Sequence, residues 1–381
     1  MASDKTTSGR TDAEGDQVGL RELAQRLVQS TFGPRVMKLS GPLAGLFRLD
    51  YDEKILRRDY RNPVLVASQA DARAKASLAI RLGRLRDVAI DVAAANVNDM
   101  LSIGAEPLFL LHHLAGGDLS PPQHLEVIDG LVEACRQAGC ALLSGDRAEA
   151  AGSARPAGNG VSGGPAGHAG TGGSGGSAGQ RGFDLVAFAV GVCDHRKLIT
   201  GEGIEPGDDV IGVASSGLHC AGFDLAAAAA FEQAGLSPTE HLEQLGCTVG
   251  EELLRPSRIY VGPVLRVLRY YRRKRIVAGM AHVTGGGLAG SIERILPADR
   301  RVRLEAKTWP RPAIFDLLER WGVPAERMWQ TLNMGIGYVL VVRPAFTQSI
   351  VRQLRRRKMP AWRIGAVSEG PKQVELALNQ Q

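Results

Sequence analysis

Strand-like and helix-like segments alternate along almost all of this chain, and one Gly/Ala/Ser/Pro-rich stretch, Gly152 to Gly182, cuts the alternation in two. Switching between a side-chain period of 2 and one of 3.6 is the pattern of a layered α/β (α+β) architecture, in which each element hides one apolar face against the next layer. The insert includes Gly170-Thr-Gly-Gly-Ser-Gly-Gly-Ser-Ala-Gly179 and cannot bury enough apolar surface to offset its ordering entropy, so it reads as a flexible loop. Before it, the pattern predicts strands at Pro63 to Ala67, Arg86 to Asp91, Pro107 to His112 and Ala141 to Ser144. Helices are expected at Ala72 to Leu85, after Asp91, and at Pro121 to Ala138. Phe183 to Cys193 is a further strand. After Gly201 the pattern restarts with strands at Asp209 to Ala214, Ile276 to Val283, Arg301 to Glu305, Gly337 to Val342, Trp362 to Val367 and Gln373 to Leu378. The helices there are Cys220 to Ala234, Tyr260 to Tyr271, Leu288 to Leu296, Ala313 to Arg320 and Ala345 to Arg357.

A chain of 381 residues exceeds what a single core usually supports. Two domains are therefore expected, 18–200 and 201–381, behind a disordered tail at 1–17. Gly201, Gly203, Pro206 and Gly207 punctuate the junction. The +6 formal charge is spread over scattered arginines, and the densest basic runs, Tyr271 to Arg275 and Arg352 to Lys358, sit in or beside helix-like segments. That favours solvated faces over nucleic-acid binding. No apolar run reaches membrane-spanning length, and Met1 to Gln17 is polar rather than signal-like. Cys135, Cys140, Cys193, Cys220 and Cys247 show no CxxC spacing and read as reduced core residues of a cytoplasmic protein.

Four segments carry chemistry. Asp91-Val-Ala-Ala-Ala-Asn-Val-Asn-Asp99 places acids and amides on a buried, Ala-rich helix, with Asp91 and Asn98 seven residues apart on one face and Asp99 one step around. Clustered oxygens of this kind suit Mg²⁺, and a helix N-cap with a solvated edge is the alternative. Ser215-Ser-Gly-Leu-His-Cys-Ala-Gly222 reads as a strand-to-helix turn whose amides suit an anion, with His219 as a group for a proton or a phosphate. Ala281-His-Val-Thr-Gly-Gly-Gly287 ends a strand and opens a helix, allowing close backbone approach to a phosphate. Gly285, Gly287 and Gly290 with Glu305 also satisfy a dinucleotide fingerprint, which keeps an oxidoreductase open. Ser144-Gly-Asp-Arg-Ala-Glu149 offers Asp146 as a further metal or phosphate contact.

In order along the chain, Val97-Asn-Asp99, Gly104-Ala-Glu-Pro-Leu-Phe109, Ser215 to His219, Pro256-Ser-Arg-Ile-Tyr-Val261, Ala281 to Gly287 and Thr331-Leu-Asn-Met-Gly-Ile-Gly337 resemble the aminoimidazole ribonucleotide synthetase (phosphoribosylformylglycinamidine cyclo-ligase) family. The resemblance implies two α/β domains, a homodimer formed through the N-terminal domains, ATP with Mg²⁺ in the cleft, and formylglycinamidine ribonucleotide as substrate. It implies a catalytic role for His219 and Asp91, metal contacts from Asp91, Asp99 and Asp146, and nucleotide contacts from Lys75, Asn98, Ser215, Ser216, Gly217, Thr284, Gly285, Gly286 and Gly287. Where the family carries Thr-Asp-Gly-Val-Gly-Thr-Lys, this chain reads Gln69-Ala-Asp-Ala-Arg-Ala-Lys75, so a divergent or inactive paralogue, or another ATP-using member of the superfamily, stays open.

Overall fold

The computed structural model describes residues 19, 20, 22–37, 46–48, 62–115, 119–143 and 183–377. The tail 1–17, the insert 152–182 and Asp146 lie outside them. The first unit is a four-stranded sheet built from β1 (Pro63–Asp71), β2 (Glu106–Ala115), β3 (Ala141–Leu142) and β4 (Asp184–Asp194), in the order β1-β4-β2-β3. Its pairings are antiparallel except for β2 with β3. Helices α1 (Arg73–Leu82), α2 (Leu85–Leu101) and α3 (Pro121–Ala138) belong to this unit, and α2 packs on α3, β1 and β4.

The second unit is a six-stranded sheet of β5 (Asp209–Ala214), β6 (Val277–His282), β7 (Arg300–Glu305), β8 (Ile336–Val342), β9 (Ala361–Glu369) and β10 (Gln373–Ala377), in the order β6-β8-β5-β9-β7-β10. Only β7 with β10 is parallel. A dinucleotide fingerprint acts in a parallel βαβ unit. Here its strand β6 is an edge strand paired antiparallel to β8, and Glu305 lies four strands away on β7 within 3.7 Å of Arg363, so the oxidoreductase reading has no scaffold. Helices α4 (Phe223–Ala228), α5 (Val261–Tyr270), α6 (Gly287–Glu293), α7 (Ala313–Arg320), α8 (Ala325–Thr331) and α9 (Thr347–Arg355) belong to it, with a π-helical turn at Ala229–Gln233 and a short helix at Val249–Leu253.

One expected strand is a helix. Arg86 to Asp91 forms the start of α2, because Leu85, Val88, Ala89, Val92, Ala93, Val97, Met100 and Leu101 make one unbroken i, i+3, i+4 stripe, all of it buried. Burying each larger member of that stripe contributes about 1.5–3 kcal/mol, which outweighs the modest β preference of the two branched residues, Val88 and Ile90. Asp87 sits in the first turn, where it accepts from Arg84 Nε at 2.6 Å, and Gly83 ends α1 with φ at 61°. Asp91 is consequently an interior helical residue rather than an N-cap. All five cysteines are free; Cys135, Cys140 and Cys193 are buried as expected, whereas Cys220 is exposed in the turn before α4 and Cys247 is half-buried. Among the described residues no helix is long and apolar enough to cross a membrane.

Candidate functional site at the seam between the two units

Helix α2 also contacts α5 and β6 of the second unit, so its polar face looks into the seam. Asp91 and Asn98 do share a face, and both grip one segment of the second unit, Pro256–Tyr260. Ser257 N donates to Asp91 Oδ1 at 2.6 Å, Asn98 Nδ2 donates to the Arg258 carbonyl at 2.8 Å, and Tyr260 N donates to Asn98 Oδ1 at 2.9 Å. The second Asp91 oxygen accepts from Lys75 Nζ, in the first turn of α1, at 2.7 Å, and both side chains are buried. Burial alone disfavours the Lys75 ammonium, but the Asp91 carboxylate, with smaller contributions from Cys220 and Asp87, more than restores it, leaving the pKa raised above 10.5. Both Asp91 oxygens are thereby committed to the chain's own donors.

Asp99 points elsewhere. Its Oδ1 lies 2.8 Å from His282 Nδ1, and its side chain keeps 49% of its surface exposed. His282 closes β6 and donates its backbone N–H to Ser102 Oγ at 3.1 Å. Two residues later the turn Thr284 to Gly287 begins, with Gly285 and Gly286 exposed. Gly286 and Gly287 have φ of 93° and 65°, and a Cβ on Gly287 would meet the Trp329 carbonyl at 2.7 Å, so this turn requires glycine. Arg294, just past α6, reaches back to donate to Thr284 Oγ1 at 3.1 Å, Ser291 Oγ at 3.0 Å and the Gly285 carbonyl at 3.3 Å.

The Ser215 to Gly217 turn is placed differently from expectation. Ser215 Oγ donates to Asn333 Oδ1 at 3.2 Å, while Asn333 Nδ2 donates to the carbonyls of Gly217 and Leu218 at 2.9 and 2.8 Å. Ser216 Oγ donates to the Pro256 carbonyl at 2.5 Å, and Ser216 N donates to His219 Nε2 at 3.0 Å. Helix α4 starts only at Phe223, after Gly222, so the hydroxyl turn is not a helix N-terminus and its polar atoms face inward. His219 is buried, and burial, with the neighbouring His282, Lys75 and Arg258 side chains, pushes its pKa well below 6.5.

The seam thus brings together Lys75, Asp91 and Asn98 around Pro256–Tyr260, His219 with Ser216 on the far side of that segment, and Asp99 with His282 at the entrance to the glycine turn. Among the described residues no group of three or more His, Cys, Asp or Glu side chains is placed to hold a metal ion. Asp91 in particular does not fit as a ligand, because Mg²⁺ would have to displace a buried ammonium. Reading the sequence alone missed Asn333, His282 and Arg294 as site residues. Asn333 carried a usable signal, a buried amide between Leu332 and Met334, whereas nothing local marks Arg294.

Comparisons with known proteins bear on the fold and the family. Residues 62–164 match the family described as AIR synthase related protein, N-terminal domain, and residues 205–376 match AIR synthase related protein, C-terminal domain. The phosphoribosylformylglycinamidine cyclo-ligase of Carboxydothermus hydrogenoformans is 38% identical over 348 residues, 91% of each chain. Its counterpart from an Anaeromyxobacter species is 40% identical over 359 residues, 94% of this chain and 93% of its own. Among solved structures, thiamine-monophosphate kinase from Stenotrophomonas maltophilia superposes with a TM-score of 0.60 at 17% identity, covering 93% of this chain and 94% of that one. A hydrogenase maturation protein, HypE, in complex with ATP gives 0.56 at 16%, covering 94% and 91%. At such identities these two show the shared fold alone. With both domain families matched and about two residues in five identical over more than nine-tenths of its length, the chain belongs to the AIR synthase family of phosphoribosylformylglycinamidine cyclo-ligases.

Proposed function

We propose that this protein is an ATP-dependent cyclo-ligase that closes the imidazole ring of formylglycinamidine ribonucleotide in purine biosynthesis. The formyl oxygen attacks the γ-phosphorus of ATP and ADP leaves. The amidine nitrogen then adds to the activated carbon, the C–O bond to phosphate breaks, and the nitrogen loses a proton as the ring becomes aromatic. Products are aminoimidazole ribonucleotide, ADP and phosphate. Such chemistry asks the protein mainly to position groups and to neutralise charge on phosphate.

The observation that carries this reading is the Asp99/His282 contact at 2.8 Å, which sets a half-exposed carboxylate of the first unit at the threshold of the second unit's glycine turn. The exposed amides of Gly285 and Gly286, the Thr284 hydroxyl and the Arg294 guanidinium are the groups suited to phosphate. Asp99 with His282 is the pair suited to accept the amidine proton. Lys75, Asn98, Ser215, Ser216 and Gly217 hold the walls of the cleft. ATP ordinarily arrives with Mg²⁺ on its phosphates; no step here runs through a protein-held ion.

The same reading makes the protein a homodimer through the outer face of the first sheet. Leu65, Phe188 and Leu111, on β1, β4 and β2, are 59%, 41% and 38% exposed, and Phe188 stands opposite both Gln69 and Leu111 in register. An apolar sheet face of this kind is the sort that monomers seldom leave open. Five free thiols support a reducing, cytoplasmic setting.

Substrate labelled with heavy oxygen at the formyl group tests the chemistry. The label is expected in the released phosphate. Label retained in the organic product, or ring closure without ADP release, contradicts the reading.

A further inference from the structure

His219 holds φ at 58°, a left-handed backbone that costs a non-glycine residue about 1 kcal/mol or more, and its side chain is buried. Something must hold it there. Its Nε2 receives the Ser216 amide at 3.0 Å and faces the Arg258 amide at 3.4 Å. The Ser216 hydroxyl, 3.1 Å away, already donates to the Pro256 carbonyl at 2.5 Å. Two N–H groups aimed at one ring nitrogen leave no room for a proton on it, so the ring proton sits on Nδ1. Nδ1 faces the backbone of Gly337, where an added Cβ would lie 3.1 Å from it, and it has no hydrogen-bond partner among the described residues. Burial keeps the ring neutral, and the titratable groups that face it, His282 and Arg258 of the second unit and Lys75 of the first, are all basic and act the same way. Turning Nε2 toward a substrate would strand buried backbone donors.

The partner of this ring is the second-unit segment that the first unit grips. Pro256–Tyr260 is gripped from one side by Asp91 and Asn98 and from the other by Ser216 and His219. We propose that His219 is a positioning residue rather than a proton carrier: a neutral acceptor that ties the Ser215 to Gly217 turn to the Pro256–Tyr260 strap and so sets how α2 faces the glycine turn. Only the activity arm of its test rests on the cyclo-ligase reading.

His219→Gln supplies an acceptor oxygen at a reach similar to Nε2 but carries no titratable group. His219→Phe keeps a ring and removes the acceptor. Gln is expected to retain kcat within about threefold with the pH profile unmoved, and Phe to lose about tenfold or more with raised KM, since a factor of ten corresponds to roughly one lost hydrogen bond. A folded Gln variant without turnover, or a Phe variant equal to the wild type, would overturn the proposal. A second measurement needs neither variant nor activity. Nitrogen-15 spectra of histidine-labelled wild type should contain, besides the ring of His112, a second ring that stays neutral as the pH falls from about 8 through 6.5 and is locked in the Nδ1–H tautomer, whereas an unshifted histidine would titrate near 6.5. A set in which no ring beyond that of His112 stays neutral in this tautomer overturns the proposal even if both variants fail to fold.

Discussion

Asp91 concentrates the energetics of the seam in one carboxylate. Removing it leaves the Lys75 ammonium buried without its counter-charge, a loss that costs about 3–5 kcal/mol for pairs of this kind. Asp91→Ala is therefore expected to lower stability by that order in urea unfolding, and the double variant Lys75→Met/Asp91→Leu to recover most of it. A single variant within about 1 kcal/mol of wild type, a surface-pair value, would show that the pair is not sealed. Because Lys75 has a raised pKa, the stability from this pair is fully present below the unfolded value of 10.5 and is lost only as pH climbs beyond it. His219 behaves oppositely. Its folded pKa is lowered, so the unfolded chain takes up a proton that the folded one refuses, and stability falls as pH drops below 6.5. His112, pushed to about 4 by burial and by His124 and His113, adds to the same acid slope. His219→Gln should flatten part of that slope when denaturation midpoints at acid and neutral pH are compared; an unchanged slope counts against the buried neutral ring. At this scale Lys75, Asp91, Asn98, Asp99 and His219, singled out in the sequence, gather at the seam, but with partners that local spacing does not show. Asp91 and Asn98 were legible as groups sharing a face, but the strap that takes up their oxygens lies far along the chain, beyond the reach of any local spacing. The Ser215 to Gly217 turn looked free for an anion for the same reason, since Asn333 is distant in sequence.

Among elements, α2 and α3 approach closely at Gly130. A Cβ there would sit 2.3 Å from the Arg86 carbonyl and 2.8 Å from Ala89 Cβ. Gly130→Ala gains about 1 kcal/mol in helix propensity yet forces the two helices apart, and overpacking typically costs about 1–3 kcal/mol. The expected outcome is a lowered melting temperature, and a raised one would mean that the crossing has slack. Long, strongly periodic elements such as α3 and the apolar strands β5 and β8 were readable because their burial writes the period into the sequence. Arg86 to Asp91 was not, because six residues with two branched side chains fit either period, and only the stripe continuing to Leu101 decides. Helix α8 escaped for a different reason: seven residues, Ala325–Thr331, with only Met328 buried, carry almost no amphipathic signal.

Over the whole molecule, the order of motifs identified the family more securely than any single motif identified a role. Two sheets built from residues up to Asp194 and from Asp209 onward meet across a seam lined with polar side chains, and the exposed apolar face of the first sheet lies away from it. Phe188→Glu combined with Leu111→Glu should turn a dimer into a folded monomer by light scattering with unchanged far-UV signal, and persistence of the dimer would move the interface elsewhere. On the proposed reading, this cleft couples ATP cleavage to ring closure. Purified protein given formylglycinamidine ribonucleotide, ATP and Mg²⁺ is expected to form aminoimidazole ribonucleotide and ADP in equal amounts, with neither appearing when the other substrate is withheld. Tight ATP binding with no turnover of either substrate would contradict it.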